Sequence, residues 1–268
     1  MLRNLYYRIV LAAKRLVYMN RGEPYHVAGR TVRYVPGTRP VRLGYAHSRN
    51  RAVRFDALQV KLLSSGLKEG DTAIDIGAHA GQYCLLMAEM CGKSGRVIAF
   101  EPDPHARSLL NRNIALNPKL KSPTIETCAV SDAAGEAVLF SCGGNSQSSL
   151  ARSGIGINAA ESAEQFTVLL VTLDDYIASH ALSAPRWVKI DVEGAEIRVL
   201  KGAAKLLAGD TQIICELHPY AWPEFGDSFE TMQELVAASG RSIRYLDEPR
   251  EFNGVPIYGS VLLERKAE

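Results

Sequence analysis

Three times along this chain a short apolar run stops on a turn of glycine and acid and hands over to a helical pattern. The runs are TAIDIGAHAG at 72–81, RVIAFEPDP at 96–104 and WVKIDVEGAE at 187–196. A strand followed by a helix does not close a hairpin; repeated, the unit builds parallel strands joined by helical crossovers. The carboxyl ends of such strands share one crevice, so the side chains of the three turns face a common ligand. The predicted fold class is therefore α/β, a doubly wound and mostly parallel sheet.

Around these turns the rhythm reads strand 72–76, helix 81–91, strand 96–100, helix 104–116 and strand 124–129. Asp103 suits an N-cap with Pro104 at the first helical position, and Asn117-Pro118 stops that helix. The rhythm then breaks. AVLF at 137–140 and FTVLLVTL at 166–173 read as an inserted hairpin or extra edge strands, and the Gly/Ser/Asn-rich loop between them, about 141–165, as a mobile lid. It resumes with strand 187–190, a helix from Gly194 to Leu207, strand 212–217, a helix over 229–239 and an antiparallel C-terminal hairpin made by SIRYL and PIYGSVLLE.

The first part of the chain is different. Residues 1–54 hold twelve Lys/Arg against the single acid Glu23, a charge of +11, in a chain whose total is only +2. This asymmetry asks for an anionic partner at the N-terminal end. Over residues 2–19, Leu2, Leu5, Tyr6, Ile9, Ala12, Ala13 and Leu16 share one helical face and Arg3, Arg8, Lys14 and Arg15 the other. Such a helix either lies in a membrane interface or docks on the core with its basic side in water. Short strands between Tyr25 and Tyr45 and a helix over 53–65 follow. The division expected is a basic extension over 1–52, helix and short strands, and one ligand-binding domain over 53–268. The five cysteines show no CxxC spacing, and no run is long enough to span a membrane, so the expected setting is cytoplasmic, with residues 1–20 peripheral at the inner face of a membrane.

The turns carry the chemistry. In DIGAHAG the strand ends at Asp75 to Gly77 and the next helix begins near Gly81, so Gly77 and Gly81 are expected where backbone bends and approaches a ligand. A dinucleotide fingerprint needs glycine where this chain has His79, which argues against NAD. Glu101 ends its strand 26 residues after Asp75, where an ionised acid accepts from ribose hydroxyls.

Taken in order, DIGAHAG, AFEPDP, AVSD at 129–132, KIDVEGAE and ELHP resemble the FkbM-type family of S-adenosylmethionine-dependent methyltransferases, from about Val53 to about Leu263. The resemblance implies the class I methyltransferase form of the Rossmann-like sheet. It implies that S-adenosylmethionine is held by Asp75, Gly77, Ala78, His79, Gly81 and Glu101, with Val130 and Ser131 lining the adenine and Asp132 accepting from its amino group. Methyl transfer to a hydroxyl needs alignment, exclusion of water and a route for one proton. Asp191 and Glu193 are candidates to orient the acceptor or take that proton, and His218, whose imidazole titrates near neutrality, is the candidate general base. Glu196 reads as a solvated acid of the first helical turn. Tyr220, Trp222 and Phe225 read as an aromatic wall or as loop anchors. A magnesium-like ion between Asp191, Glu193 and His218 is an alternative, but the site is expected to work without metal.

The acceptor expected is a hydroxyl on a sugar, glycolipid or secondary metabolite, small or linked to a glycan or lipid, with an anionic membrane as partner through residues 1–20. RNA methylation and a non-catalytic nucleoside-binding module are the alternatives. The basic segment lacks interleaved aromatics for base stacking, which disfavours nucleic acid.

Overall fold

The computed structural model describes residues 2–38, 43–45, 52–54, 57–143, 148–155 and 163–266. The main sheet contains β1 Thr72–Ile76, β2 Arg96–Phe100, β3 Thr124–Glu126, β4 Trp187–Ile190, β5 Gln212–Leu217, β6 Arg241–Tyr245 and β7 Val255–Arg265. They lie in the order β6-β7-β5-β4-β1-β2-β3, with Arg250–Phe252 paired to β7. Strands β1 to β5 run parallel, and β7 is antiparallel to both β5 and β6. The chain winds outward from β1 to β3, then returns to β4 on the other side of β1. The winding therefore reverses between β1 and β4, where an open α/β sheet places its ligand.

Alternation along the strands supplies two cores. Ile74, Ile76, Ile98, Phe100, Val188 and Ile190 pack on one face against the helices of the second half, each buried side chain contributing about 1.5–3 kcal/mol. Ala73, Val97, Ala99 and Trp187 face the helix Gln82–Cys91 on the other. Asp103 caps the helix Pro104–Ala115, accepting from the amides of His105 and Ala106.

Three elements depart from the sequence expectation. The strand expected over 124–129 divides after Glu126, and Ala129–Val130 leaves to pair with Glu164–Val171, which with Gly135–Ser141 forms a separate three-stranded sheet. The helix expected from Gly194 to Leu207 becomes Glu196–Lys201 and Ala204–Ala208. The break has a tertiary cause: the Asp174 carboxylate accepts from the amides of Lys205 and Leu206 at 2.7 and 3.1 Å, and Gly202 presses on Ser131, whose carbonyl would lie 2.0 Å from an added Cβ. The helix expected over 53–65 begins at Ala57, after a short strand Ala52–Arg54 paired with Leu43–Tyr45.

The N-terminal hairpin Glu23–Val27 with Arg30–Tyr34 joins the core. Val32 and Tyr34 are buried with the helix Gln82–Cys91, and the Tyr34 hydroxyl donates to the Gln82 carbonyl at 2.8 Å. The helix Leu2–Tyr18 packs Leu11 over Gly37 and pairs Lys14 with Glu23 at 2.6 Å. In its described part, Ile9 and Leu16 of the apolar stripe are exposed instead, at 59% and 74%. Among the described residues no helix is long and apolar enough to cross a membrane.

Candidate active site

The turn after β1 is shaped by left-handed backbone at Gly77 and Gly81 (φ +80° and +78°), with His79 between them at +47°. The close approaches that demand glycine are to protein atoms. A Cβ at Gly77 would stand 1.9 Å from the Asp191 carbonyl oxygen, and one at Gly81 2.3 Å from Leu110 Cδ1. The turns after β1 and β4 are therefore pressed together at the point where the winding reverses.

Glu101, at the end of β2, binds the first turn to its own. Its Oε2 accepts from the His79 amide at 2.6 Å and its Oε1 from the Asp103 amide at 2.8 Å. Burial pushes its carboxyl from 4.5 up to about 7, against the help of those amides and of Arg107 and with a further push from Asp103. Asp75 is buried, and burial, with Asp191 adding to it, raises its carboxyl to about 6 although Lys189 and the Cys84 amide work in the opposite direction. Two buried acids with acceptor capacity left over, on neighbouring parallel strands, fit a ligand rich in hydroxyl and ammonium donors. Ala78 is buried in the first of these turns, and Val130 is buried in the core cluster of Ile76 and Phe100. Ser131 is buried and donates to Asp132 at 2.9 Å, and Arg198 donates to the same Asp132 oxygen at 3.3 Å.

A pH dependence follows from Glu101. Its folded pKa lies above its unfolded one, so the unliganded fold loses stability from this group as pH rises from 4.5 to about 7. In the role expected for Glu101, ribose hydroxyls would donate to the carboxylate and favour its ionised form. Binding of S-adenosylhomocysteine, followed by calorimetry, is therefore expected to tighten with rising pH by up to about tenfold per unit and to level off above about 7. Glu101→Gln should flatten that profile, and an unchanged slope in the variant would assign the dependence to another group.

The second half of the site is built by β4 and β5. Lys189 lies opposite Asp75 in the β4–β1 register, is buried against the Tyr83 ring, and donates to Asp191 Oδ2 at 2.8 Å. Asp191, Glu193 and His218, expected together, do converge, each offering a ligand atom within 4.8 Å of the others. His218 Nε2 lies 3.5 Å from Glu193, 4.0 Å from Asp191 and 4.0 Å from Glu216.

Glu196 is the main correction to the sequence reading. Instead of being solvated it is fully buried. It accepts from His218 Nδ1 at 2.8 Å, from the Trp222 indole at 2.7 Å and from the Gly194 amide at 2.8 Å. Trp222 is accordingly a buried anchor and not part of an open wall, and Phe225 lies under the Arg198 guanidinium. The aromatic pair beside His218 is instead Tyr220 with Tyr258, stacked with centroids 5.8 Å apart.

The charges set the electrostatics. Burial opposes a charged His218, but its hydrogen bond to Glu196 and the carboxylates of Glu196, Glu193 and Asp191 outweigh it and push the imidazole up to about 10. Burial also works to raise Asp191, but Lys189 and then His218 hold its carboxyl below the usual range. Burial, with Asp191 beside it, pushes Glu193 to about 6 against the opposing pull of His218, and Tyr220 donates to it at 2.6 Å. Glu193 itself sits in left-handed backbone (φ +51°), an uncommon conformation for a residue with a Cβ and one found at functional turns.

The described part of the insert is docked across the mouth. Ser141 and Ser148 donate to Asp103, Ser149 donates to the Glu193 carbonyl at 2.6 Å, and the amides of Arg152 and Ser153 donate to Glu224. The insert thus touches both the helix that follows Glu101 and the turn of Glu193. Residues 144–147 and 156–162 of the expected lid lie outside the described residues.

Sequence reasoning missed Lys189, Glu216 and Tyr258, and it placed Glu196 in solvent. A signal existed for Lys189, a charge inside the apolar run WVKI, because a buried lysine requires a partner. Tyr258 comes from β7, and nothing local marks it.

The model of the methyltransferase FkbM domain matches residues 75–243, a span holding every turn described above. The chain is 28% identical over 170 residues to hexuronic acid methyltransferase AglP of Haloferax volcanii, covering 63% of this chain and 65% of that protein. It is 31% identical over 179 residues to 31-O-demethyl-FK506 methyltransferase FkbM of Streptomyces tacrolimicus, covering 57% and 67%. The matches therefore span about two thirds of each relative. Among solved structures, methyltransferase FkbM from Methylobacillus flagellatus shares 16% identity at a TM-score of 0.45, over 74% of this chain and 44% of that one.

Proposed function

The chain belongs to the FkbM methyltransferase family, and from that premise we propose that it is an S-adenosylmethionine-dependent O-methyltransferase acting on a hydroxyl of a sugar, glycolipid or secondary metabolite. The observation that carries the reading is the meeting of Asp191, Glu193 and His218 beside the Tyr220–Tyr258 pair, at the end of β4 and β5 next to the winding reversal. The Glu101 and Asp75 carboxylates and the turn from Gly77 to Gly81 would hold the cofactor, which when bound supplies an electrophilic methyl group for an acceptor oxygen. Carboxylates within reach of that oxygen orient its hydroxyl and receive its proton, and Tyr220 fixes Glu193 for the purpose. The aromatic pair offers a flat apolar surface of the kind that stacks on the C–H face of a sugar ring. AglP, named for a hexuronic acid, makes uronic acid glycosides the first acceptors to try.

Support for a membrane-associated acceptor comes from the helix Leu2–Tyr18. Ile9 and Leu16 of its apolar stripe are exposed within a segment of +11 net charge, the combination that lies in an anionic interface. Asn113 ties the segment under that helix to the first turn: it accepts from the Val35 amide and donates to Thr38 and to the Ala80 carbonyl.

The deciding experiment supplies methyl-labelled S-adenosylmethionine with sugar acceptors, free or displayed on vesicles containing phosphatidylglycerol, and with RNA as a control. Label in the hydroxyl acceptors supports the reading; label in RNA alone, or none in any hydroxyl, removes it. Cosedimentation with the same vesicles should be lost in Leu16→Glu. Equal sedimentation of the variant would discard the membrane role while leaving the chemistry standing.

A further inference from the structure

We infer that the Asp191–Glu193–His218 cluster is a binding site for one divalent cation of the magnesium and manganese class. The inference deepens the proposed O-methyltransferase reading and rests on it for the ion's purpose, though not for the ion's binding. Four observations carry it. One nitrogen and two carboxylate oxygens lie within 4.8 Å of one another. His218 is 2% exposed, and its Nε2 faces oxygens of Glu193, Asp191 and Glu216 at 3.5, 4.0 and 4.0 Å. These are spacings at which an ion fits between groups: ligands about 2.1 Å from a common centre stand about 3.0 Å apart when adjacent and about 4.2 Å apart when opposite.

The third observation is the far side of the ring. The Nδ1 proton of His218 is committed to Glu196 at 2.8 Å, and Glu196 is itself fixed by Trp222 and the Gly194 amide. A carboxylate behind an imidazole in this way sets the tautomer that leaves Nε2 as the ligand atom and orients the ring toward a metal. The fourth is charge. Asp191, Glu193 and Glu216 face Nε2 and Glu196 stands behind Nδ1, while Lys189 is the buried cation that pairs with Asp191 through its other oxygen, leaving Oδ1 toward the ring. One imidazole with carboxylates suits an oxygen-preferring ion more than a thiolate-preferring one. An ion held by three protein atoms keeps open positions, and an acceptor hydroxyl entering one of them would be polarised and more easily deprotonated.

The test uses manganese as the probe, with no cofactor or acceptor present. Binding of Mn2+ to the full chain is followed by electron paramagnetic resonance and by calorimetry, for wild type, Glu193→Gln, Asp191→Asn and Glu196→Gln, and each variant's fold is checked by circular dichroism. One ion per chain is expected, abolished or greatly weakened in the two ligand variants and weakened about 10- to 100-fold in Glu196→Gln, which alters only the orienting carboxylate. Absence of binding to folded wild type at millimolar Mn2+ overturns the inference. So does binding that both ligand variants retain, because the ion would then sit elsewhere. Should Asp191→Asn fail to fold, Glu193→Gln, whose side chain is partly open to solvent, decides the matter. S-adenosylhomocysteine binding is measured in parallel. A chain that binds Mn2+ at this cluster but not that nucleoside loses the methyltransferase reading and keeps the metal site; the converse result does the opposite.

Discussion

Glu196→Ala is expected to be the most destabilising single substitution in the site, lowering the melting temperature by roughly 10 °C. Glu196 is fully buried and accepts from three donors: the His218 ring, the Trp222 indole and the Gly194 amide. Its removal leaves an imidazole and an indole N–H in the interior without an acceptor. Loss of one partner from a buried charged pair costs about 3–5 kcal/mol, and a chain of this size shifts by roughly 2–4 °C per kcal/mol. Differential scanning calorimetry measures the effect, with Trp222→Phe as the milder companion that removes only one donor. A shift below about 2 °C would mean that the interior readily relaxes or hydrates around the gap, and that Glu196 is not the support of His218.

The second large effect is kinetic. Glu193→Gln is expected to lower kcat by about 10²- to 10⁴-fold while S-adenosylhomocysteine affinity stays within about threefold. The side chain is 15% exposed, and glutamine keeps the oxygen to which Tyr220 donates, so the fold should tolerate the change. What is lost is a negative charge facing His218 and the acceptor, whether it acts on the hydroxyl directly or through a bound ion. Asp191→Asn provides the contrast. It leaves the buried ammonium of Lys189 without its carboxylate, so a loss of stability should accompany the loss of turnover. Steady-state kinetics beside calorimetric stability separates the two, and a Glu193→Gln enzyme with unchanged kcat would remove that residue from the chemistry.

Much of this was legible before any coordinates. The parallel sheet and the places of Asp75, Glu101, Asp191 and His218 at its carboxyl edge follow from local patterns that need no knowledge of distant partners. A short apolar run is a buried strand, glycine and acid end it, and a 3.6-residue stripe begins the helix. The Asp103 cap and its Pro104 belong to the same class. Failures came where a residue's fate depends on something far away in the chain. Glu196 looks like any first-turn acid until Trp222 and His218 are folded over it. The helix after it reads as continuous until the Asp174 carboxylate caps its middle.

The sequence by itself determined the fold class, the three turns at the carboxyl edge of the sheet and which acids stand at them, because periodicity and turn chemistry act over a few residues. Only the tertiary structure decided which side of the Leu2–Tyr18 helix meets the core, since packing Leu11 over Gly37 turns Ile9 and Leu16 outward. It also decided the surroundings of His218. That imidazole is defined by carboxylates from the turn after β4 and from β5 itself, brought within 4 Å by parallel pairing, and in a buried setting those neighbours outweigh the ring's own chemistry.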